Sequence, residues 1–312
     1  MKKIFIVYLF ISISITGYSQ SDTSSLFKKN KLNGHVFLNY ARYNSPFIST
    51  SLKINVGVGS TSVITIPPME IDGIVTPAIY GTIMFAEASF YYQQKFTPWL
   101  SLNIHSISLG RFGADAFSLL FDGVNTIYGG SIGWKIRMFK SEKLIVSSNI
   151  FVENLSGNFI NIRQFVNDIL DSVPDASISK NIPSLTGGIN IKGAYAFNQT
   201  FGIQAEIQLN YGETYTHDNK SFTNKTSVLG EADFYPRYQF PLGLGLGYML
   251  SSTPETSMKS GDYISLGIFK LAYTGSPDYD LGLEFMTYKL KLYEEIKDPF
   301  VTQVIFSFKF YF

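Results

Sequence analysis

Apolar and polar side chains alternate with a period of two through segment after segment of this 312-residue chain, and an extended strand is the element with that period. In 201–211, Phe201, Ile203, Ala205, Ile207, Leu209 and Tyr211 share one face, with Gly202, Gln204, Glu206, Gln208 and Asn210 on the other. In 128–138, Ile132, Trp134, Ile136 and Met138 oppose Ser131, Lys135 and Arg137. Such segments run to about 11–13 residues, near the roughly 9–11 that a tilted membrane-spanning strand needs. Strands of soluble sandwiches are shorter, commonly about 5–6 residues. Tight connections at 96–98, 140–142, 198–200, 240–241 and 275–278 alternate with long ones near 111–126, 156–183, 212–225, 252–261 and 292–299, as in barrels with short periplasmic turns and longer outer loops. The last segment alternates Thr302, Val304, Phe306, Phe308, Phe310 and Phe312 with Gln303, Ser307, Lys309 and Tyr311. A free apolar edge of this length invites aggregation; pairing it with the first strand removes the edge.

The pattern predicts an all-β, transmembrane, antiparallel up-and-down barrel. Strands are expected at 83–95, 98–110, 127–139, 143–155, 184–197, 200–213, 226–239, 241–252, 261–274, 279–291 and 299–312. A strand at 48–59 completes the even number that bacterial single-chain barrels use, giving twelve. The count becomes fourteen if 33–43 and 61–67 also span. Pro67, Pro68 and Pro77 argue against regular strands around 61–77, so twelve is preferred. Two long connections carry helical spacing: Ala114, Phe117, Leu120, Phe121 and Val124 in 113–124, and Ile162, Phe165, Val166, Ile169 and Leu170 in 159–173, ended by Pro174. Both are expected as short helices in extracellular loops, lying at the same end of the barrel.

Residues 1–19 have the form of a cleaved export signal. Lys2 and Lys3 precede an apolar run from Ile4 to Ile15, and Gly17 and Ser19 are the small residues before the cut. Residues 20–34 are then an N-terminal periplasmic segment and 35–312 the barrel. After Ser19 no run of 18 apolar residues occurs, so no spanning helix is expected.

Composition excludes several chemistries. Charged residues are 16% of the chain and the net charge is +1, which offers nothing to nucleic acid. The absence of cysteine removes disulfides, thiolate metal sites and thiol nucleophiles. Three histidines make a multi-histidine metal site improbable, and no cofactor is expected. His105 shares the inward phase with Ser101 and Asn103 rather than facing lipid as an outer-membrane lipase site would need; no catalytic residue is assigned and the chain is read as a non-enzyme. Gly243, Gly245 and Gly247 lack the strand-to-helix context of a phosphate loop. They mark instead a thin patch of inner wall that another group can approach.

With the apolar faces toward lipid, the lumen receives Lys53, Glu87, Lys135, Arg137, Glu153, Lys192, Glu206, Glu231, Asp233, Arg237, Glu284 and Lys309. Six are basic and six acidic. That balance suggests ion pairs across a narrow interior, since unpaired buried charges are costly.

The amphipathic final strand ending in Phe312, preceded on the same face by Phe310, Phe308 and Phe306, resembles the assembly signal of bacterial outer-membrane barrels. Over about 35–312 the chain is similar to outer-membrane barrels of Bacteroidota-type bacteria, and shares some likeness with fatty-acid-transporter-like channels. The Asn-Pro-Ala plug motif of the latter is not found near the mature N-terminus. The resemblance implies export to the bacterial outer membrane, contact with its lipid and insertion by the barrel-assembly machinery. It names no substrate. The function it suggests is a passive channel or transporter for small or hydrophobic molecules. The other reading is a non-transporting structural or accessory barrel of an envelope or secretion assembly.

Overall fold

In a computed structural model, the protein is described over residues 30–312 apart from 67, 69, 72–73, 76, 113–122, 161–164, 166–167, 215–216, 253–262 and 291–297. Twelve antiparallel strands close into one barrel. In chain order they are β1 (Ser51–Thr61), β2 (Met84–Thr97), β3 (Leu100–Phe112), β4 (Gly123–Lys140), β5 (Leu144–Ile160), β6 (Ser179–Ala196), β7 (Phe201–Thr214), β8 (His217–Asp233), β9 (Leu242–Ser251), β10 (Ile264–Tyr273), β11 (Tyr279–Lys289) and β12 (Phe300–Tyr311). Each pairs with its neighbour in sequence, and β12 closes on β1 with Val304 opposite Val58 and Phe310 opposite Leu52. The last apolar strand therefore has no free edge.

The connections alternate between two ends. At the turn end, short links follow Thr97, Lys140, Ala196 and Tyr273, and the backbone of Phe312 bonds that of Thr50 beside the first strand. At the loop end lie the links after Thr61, Phe112, Ile160, Thr214, Ser251 and Lys289. The strands flanking 113–122 and 161–178 thus meet at one end, as expected. The helical segment of 113–124 lies outside the described residues over 113–122. In the second segment, residue 165 and residues 168–170 are helical, with Ile169 and Leu170 exposed.

Two expectations are corrected. The 212–225 loop is a hairpin: β7 and β8 stay paired to Thr214 opposite His217, and the rings of Tyr211 and Phe222 lie 4.6 Å apart across the pair. The polar composition of 217–225 conceals a strand whose partner supplies the pairing. At its other end β8 stops at Asp233 instead of reaching 239. Pro236 has no N–H to give a ladder, and it sits in the first turn of a four-residue helix, Tyr235–Tyr238, closed by Gln239 at φ 54°. The count is the preferred twelve: 33–43, which a count of fourteen would have placed in the wall, lies inside the barrel.

The outer face is a lipid face. In β7, Phe201, Ile207, Leu209 and Tyr211 are exposed, while Gly202, Gln204, Glu206 and Asn210 are buried inward. Phe201 and Tyr211 stand ten residues apart, about 26 Å along the barrel axis at roughly 3.4 Å per residue and a tilt of about 40°, the height of the apolar band of such barrels. Ile207→Arg is therefore expected to cost about 2–4 kcal/mol near mid-membrane, and Gln208→Arg, on the lumen side, far less. Urea unfolding of the two variants in lipid vesicles checks the order, and equal or reversed losses would refute the face assignment.

Candidate functional site

The lumen is not empty. Residues 30–50 enter from the turn end, run toward mid-barrel and return to start β1. The insert opens with a two-residue hairpin pairing Lys31–Leu32 with His35–Val36, turned at Asn33 (φ 45°) and Gly34 (φ 83°), a conformation that asparagine and glycine reach readily. Beyond it, Phe37, Leu38, Tyr40 and Tyr43 are fully buried. Tyr40 lies against Gly245, where any Cβ would overlap its hydroxyl, and a Cβ on Gly243 would come within 2.6 Å of Leu38. Gly243 and Gly245 thus form a thin wall patch that the plug occupies, whereas the space at Gly247 is filled by Leu229 and Ile268 of the wall. Leu38, Tyr40 and Tyr43 join Leu229, Met249, Ile264, Leu266, Ile268, Met286 and Ile305 in one apolar cluster. The inner wall of β9–β12 is accordingly less polar than a lumen reading of period two alone implies. In β10, Ile264, Leu266 and Ile268 point inward with Lys270 because the plug gives them something to cover.

Six of the twelve charges assigned to the lumen hold this insert. Lys53 Nζ donates to the carbonyls of Tyr40 (2.7 Å) and Tyr43 (3.3 Å) and to Asn44 Oδ1 (3.3 Å). Lys135 Nζ donates to the Ser45 carbonyl (2.7 Å) and Gln93 Oε1 (3.0 Å). Lys309 Nζ donates to Asn39 Oδ1 at 2.9 Å. Glu231 accepts from Leu38 N and the Tyr40 hydroxyl, both at 3.3 Å, and from Gln204 Nε2 at 3.0 Å; His35 Nε2 lies 3.3 Å from its other oxygen. Glu284 accepts from Ala41 N (2.6 Å) and Lys270 Nζ (2.8 Å). Glu87 binds Arg42 and accepts from Gln303 Nε2 at 2.7 Å. The plug backbone, which has no ladder of its own past Val36, is satisfied by wall side chains.

The other candidates divide. Lys192 and Lys225 flank Glu206 at 3.1 and 3.2 Å, a wall triad with two of its members almost fully buried. Asp233 accepts from the Thr274 hydroxyl at 2.7 Å and from Tyr235 N at 3.1 Å, closing the turn below it. Glu153 lines the cavity described next. Arg137 is half-buried on β4, in the same phase as Lys135. Arg237 is corrected: it is exposed on the Tyr235–Tyr238 helix, outside the lumen, for the reason Pro236 imposes. Sequence reading missed Arg42, Lys225, Lys270 and Asp280, the last of which accepts from Asn39 of the plug and from the Tyr311 hydroxyl. Lys270 has the inward phase of β10, but apolar neighbours on both faces hide it. Arg42 could be found only by knowing that 30–50 lies inside.

Above the plug, toward the loop end, is a partly open cavity of about 80 Å3, bounded below by Ala41, Arg42 and Asn44. Its walls are β2–β8 side chains: Ser89, Ser131, Asn149, Asn190, Gln208 and Asn210, with His105, Ile107 and Phe151. Lys225 Nζ reaches the Arg42 carbonyl at 3.4 Å, tying the cavity floor to the wall. Among the described residues no group of three His, Asp or Glu side chains is placed to hold a metal ion.

No protein-family model and no curated protein matches the sequence. Solved barrels are similar in outline. An outer-membrane channel from Pseudomonas putida F1 is 9% identical, with a TM-score of 0.48 over 88% of this chain and 100% of that one. The NanC porin gives 8% identity and a TM-score of 0.48 over 84% and 100%. The P. putida toluene transporter TodX gives 10% identity and a TM-score of 0.43 over 85% and 90%.

Proposed function

We propose that this chain is a passive channel of the bacterial outer membrane for small solutes, closed at rest by its own residues 30–50. The observation that carries this reading is the polar cavity, which leads into the barrel and stops on Ala41, Arg42 and Asn44 of the plug. A polar lumen inside a lipid-facing wall is what a solute path requires. The turn end, with the C-terminus, faces the periplasm, the loop end faces outward, and residues 1–19 direct export. Phe306, Phe308, Phe310 and Phe312 present the outward face read by the barrel-assembly machinery. The amide and charge lining favours polar solutes over the hydrophobic ones that a fatty-acid-transporter-like path would carry.

The test is a disulfide lock, clean in a chain without cysteine. Leu38→Cys with Gly243→Cys joins plug to wall where a Gly243 Cβ would lie 2.6 Å from the Leu38 side chain, which the first substitution removes. In planar bilayers the oxidised pair is expected to give no conductance steps, and reduction to restore those of the wild type. Steps of equal size and frequency in both states would refute gating by the plug. The second reading, an accessory barrel, is favoured by the ion-paired, largely filled lumen. A complete lack of conductance after plug removal would select it.

A further inference from the structure

We propose that the cavity above the plug is a binding site for a neutral, hydroxyl-rich solute. The inference deepens the channel reading, on which it rests for its biological sense. The charged side chains around the cavity already have partners. Arg42 is bound to Glu87. Lys225 is bound to Glu206 at 3.2 Å and to the Arg42 carbonyl at 3.4 Å. Glu153 too has a partner. An anionic or cationic solute would have to compete with contacts that hold the plug floor in place. The rest of the lining is mainly neutral: the amides of Asn149, Asn190, Gln208 and Asn210, of which Asn149 Oδ1 accepts from Asn103 Nδ2 at 2.9 Å and Asn210 Oδ1 from Gln208 Nε2 at 3.2 Å. A side-chain amide donates and accepts, as a hydroxyl does, so several converging amides match a molecule carrying several hydroxyls.

One of these groups is incomplete as it stands. Asn190 is only 3% exposed, lines the cavity, and its Oδ1 has no hydrogen-bond partner. Buried acceptors are seldom left so in folded proteins. A hydroxyl donor from a solute would complete it. Phe151 and Ile107 add apolar surface to this otherwise polar lining, suited to the C–H face of a sugar ring.

The test is isothermal titration calorimetry on the full chain in detergent micelles, with glucose, maltose, galacturonate and toluene as probes. Saturable binding is expected for at least one of the two neutral sugars, with galacturonate and toluene at least about tenfold weaker. Asn190→Leu and Asn210→Leu should each weaken sugar binding by about tenfold or more. Folding of both variants is verified by heat-modifiable migration, and the second serves if the first fails to fold. No saturable binding of either sugar, tighter binding of galacturonate or toluene, or sugar binding unchanged in a folded variant would each overturn the proposal. Binding in micelles does not require conduction. A barrel that binds maltose but never conducts would refute the channel reading alone, and one that conducts but binds neither sugar would refute this inference alone.

Discussion

Glu206→Gln is expected to destabilise the barrel by about 3–5 kcal/mol, the cost of breaking a buried ion pair and leaving a charge without its counterpart. Glu206 stands between Lys192 and Lys225 at 3.1 and 3.2 Å, and Glu206 and Lys192 are almost wholly removed from solvent. Loss of the carboxylate leaves two ammonium groups facing each other in the wall, with the Lys192 charge the harder to hydrate. Lys225 retains the Arg42 carbonyl and some contact with solvent. Lys192→Met in the same chain should therefore recover much of the loss, because a buried pair can be replaced by apolar groups at little net cost. Urea unfolding in lipid vesicles measures both. A single-variant loss below about 1 kcal/mol would place the triad among exposed pairs, which are worth little.

Tyr40→Ala is expected to free the plug without dismantling the wall. The ring is fully buried, lies on Gly245, meets the Tyr43 ring edge-on at 6.5 Å between centroids, and sits 5.4 Å from the Lys270 ammonium. Truncating a buried aromatic side chain costs about 3–5 kcal/mol. Here that cost falls on docking of the insert, because the twelve strands keep their own ladder. It should raise the undocked population by about two to four orders of magnitude. A single cysteine placed at Ser45 reports this through its reaction rate with a maleimide. Ser45 is buried, and its carbonyl is held by Lys135. The rate should rise steeply in the Tyr40→Ala background, together with open-channel events in bilayers. An unchanged rate would show that the plug is held by its polar contacts alone.

The wall was legible from residue order because its code is local. In β7 every alternate residue from Phe201 to Tyr211 meets lipid, and the environment of each is set by the pleat and by the membrane outside. The terminal aromatics of β12 announced closure for the same reason: an apolar edge must be paired. Local reading failed where the neighbour in space was not the neighbour in sequence. Residues 217–225 look like a polar loop until β7 pairs with them. The 33–43 stretch enters the count of fourteen as a strand, yet the backbone of 38–45 is satisfied by Lys53, Lys135, Glu231 and Glu284 from four separate strands. Period two also says which side chains face inward, but not what they meet there. Hence Ile264, Leu266 and Ile268 reveal a dry interior on one side only when the plug is in place.

The residue order by itself determined a closed, lipid-facing barrel with balanced charges inside, because alternation, strand length and charge count are properties of the chain. Tertiary structure alone decided that those charges hold an inserted segment instead of lining an open pore, and that a cavity remains above it. The reason is geometric. Which carbonyl an ammonium reaches depends on where 30–50 sits in three dimensions, and no spacing along the chain records the distance from Lys309 to Asn39 or from Arg42 to Glu87.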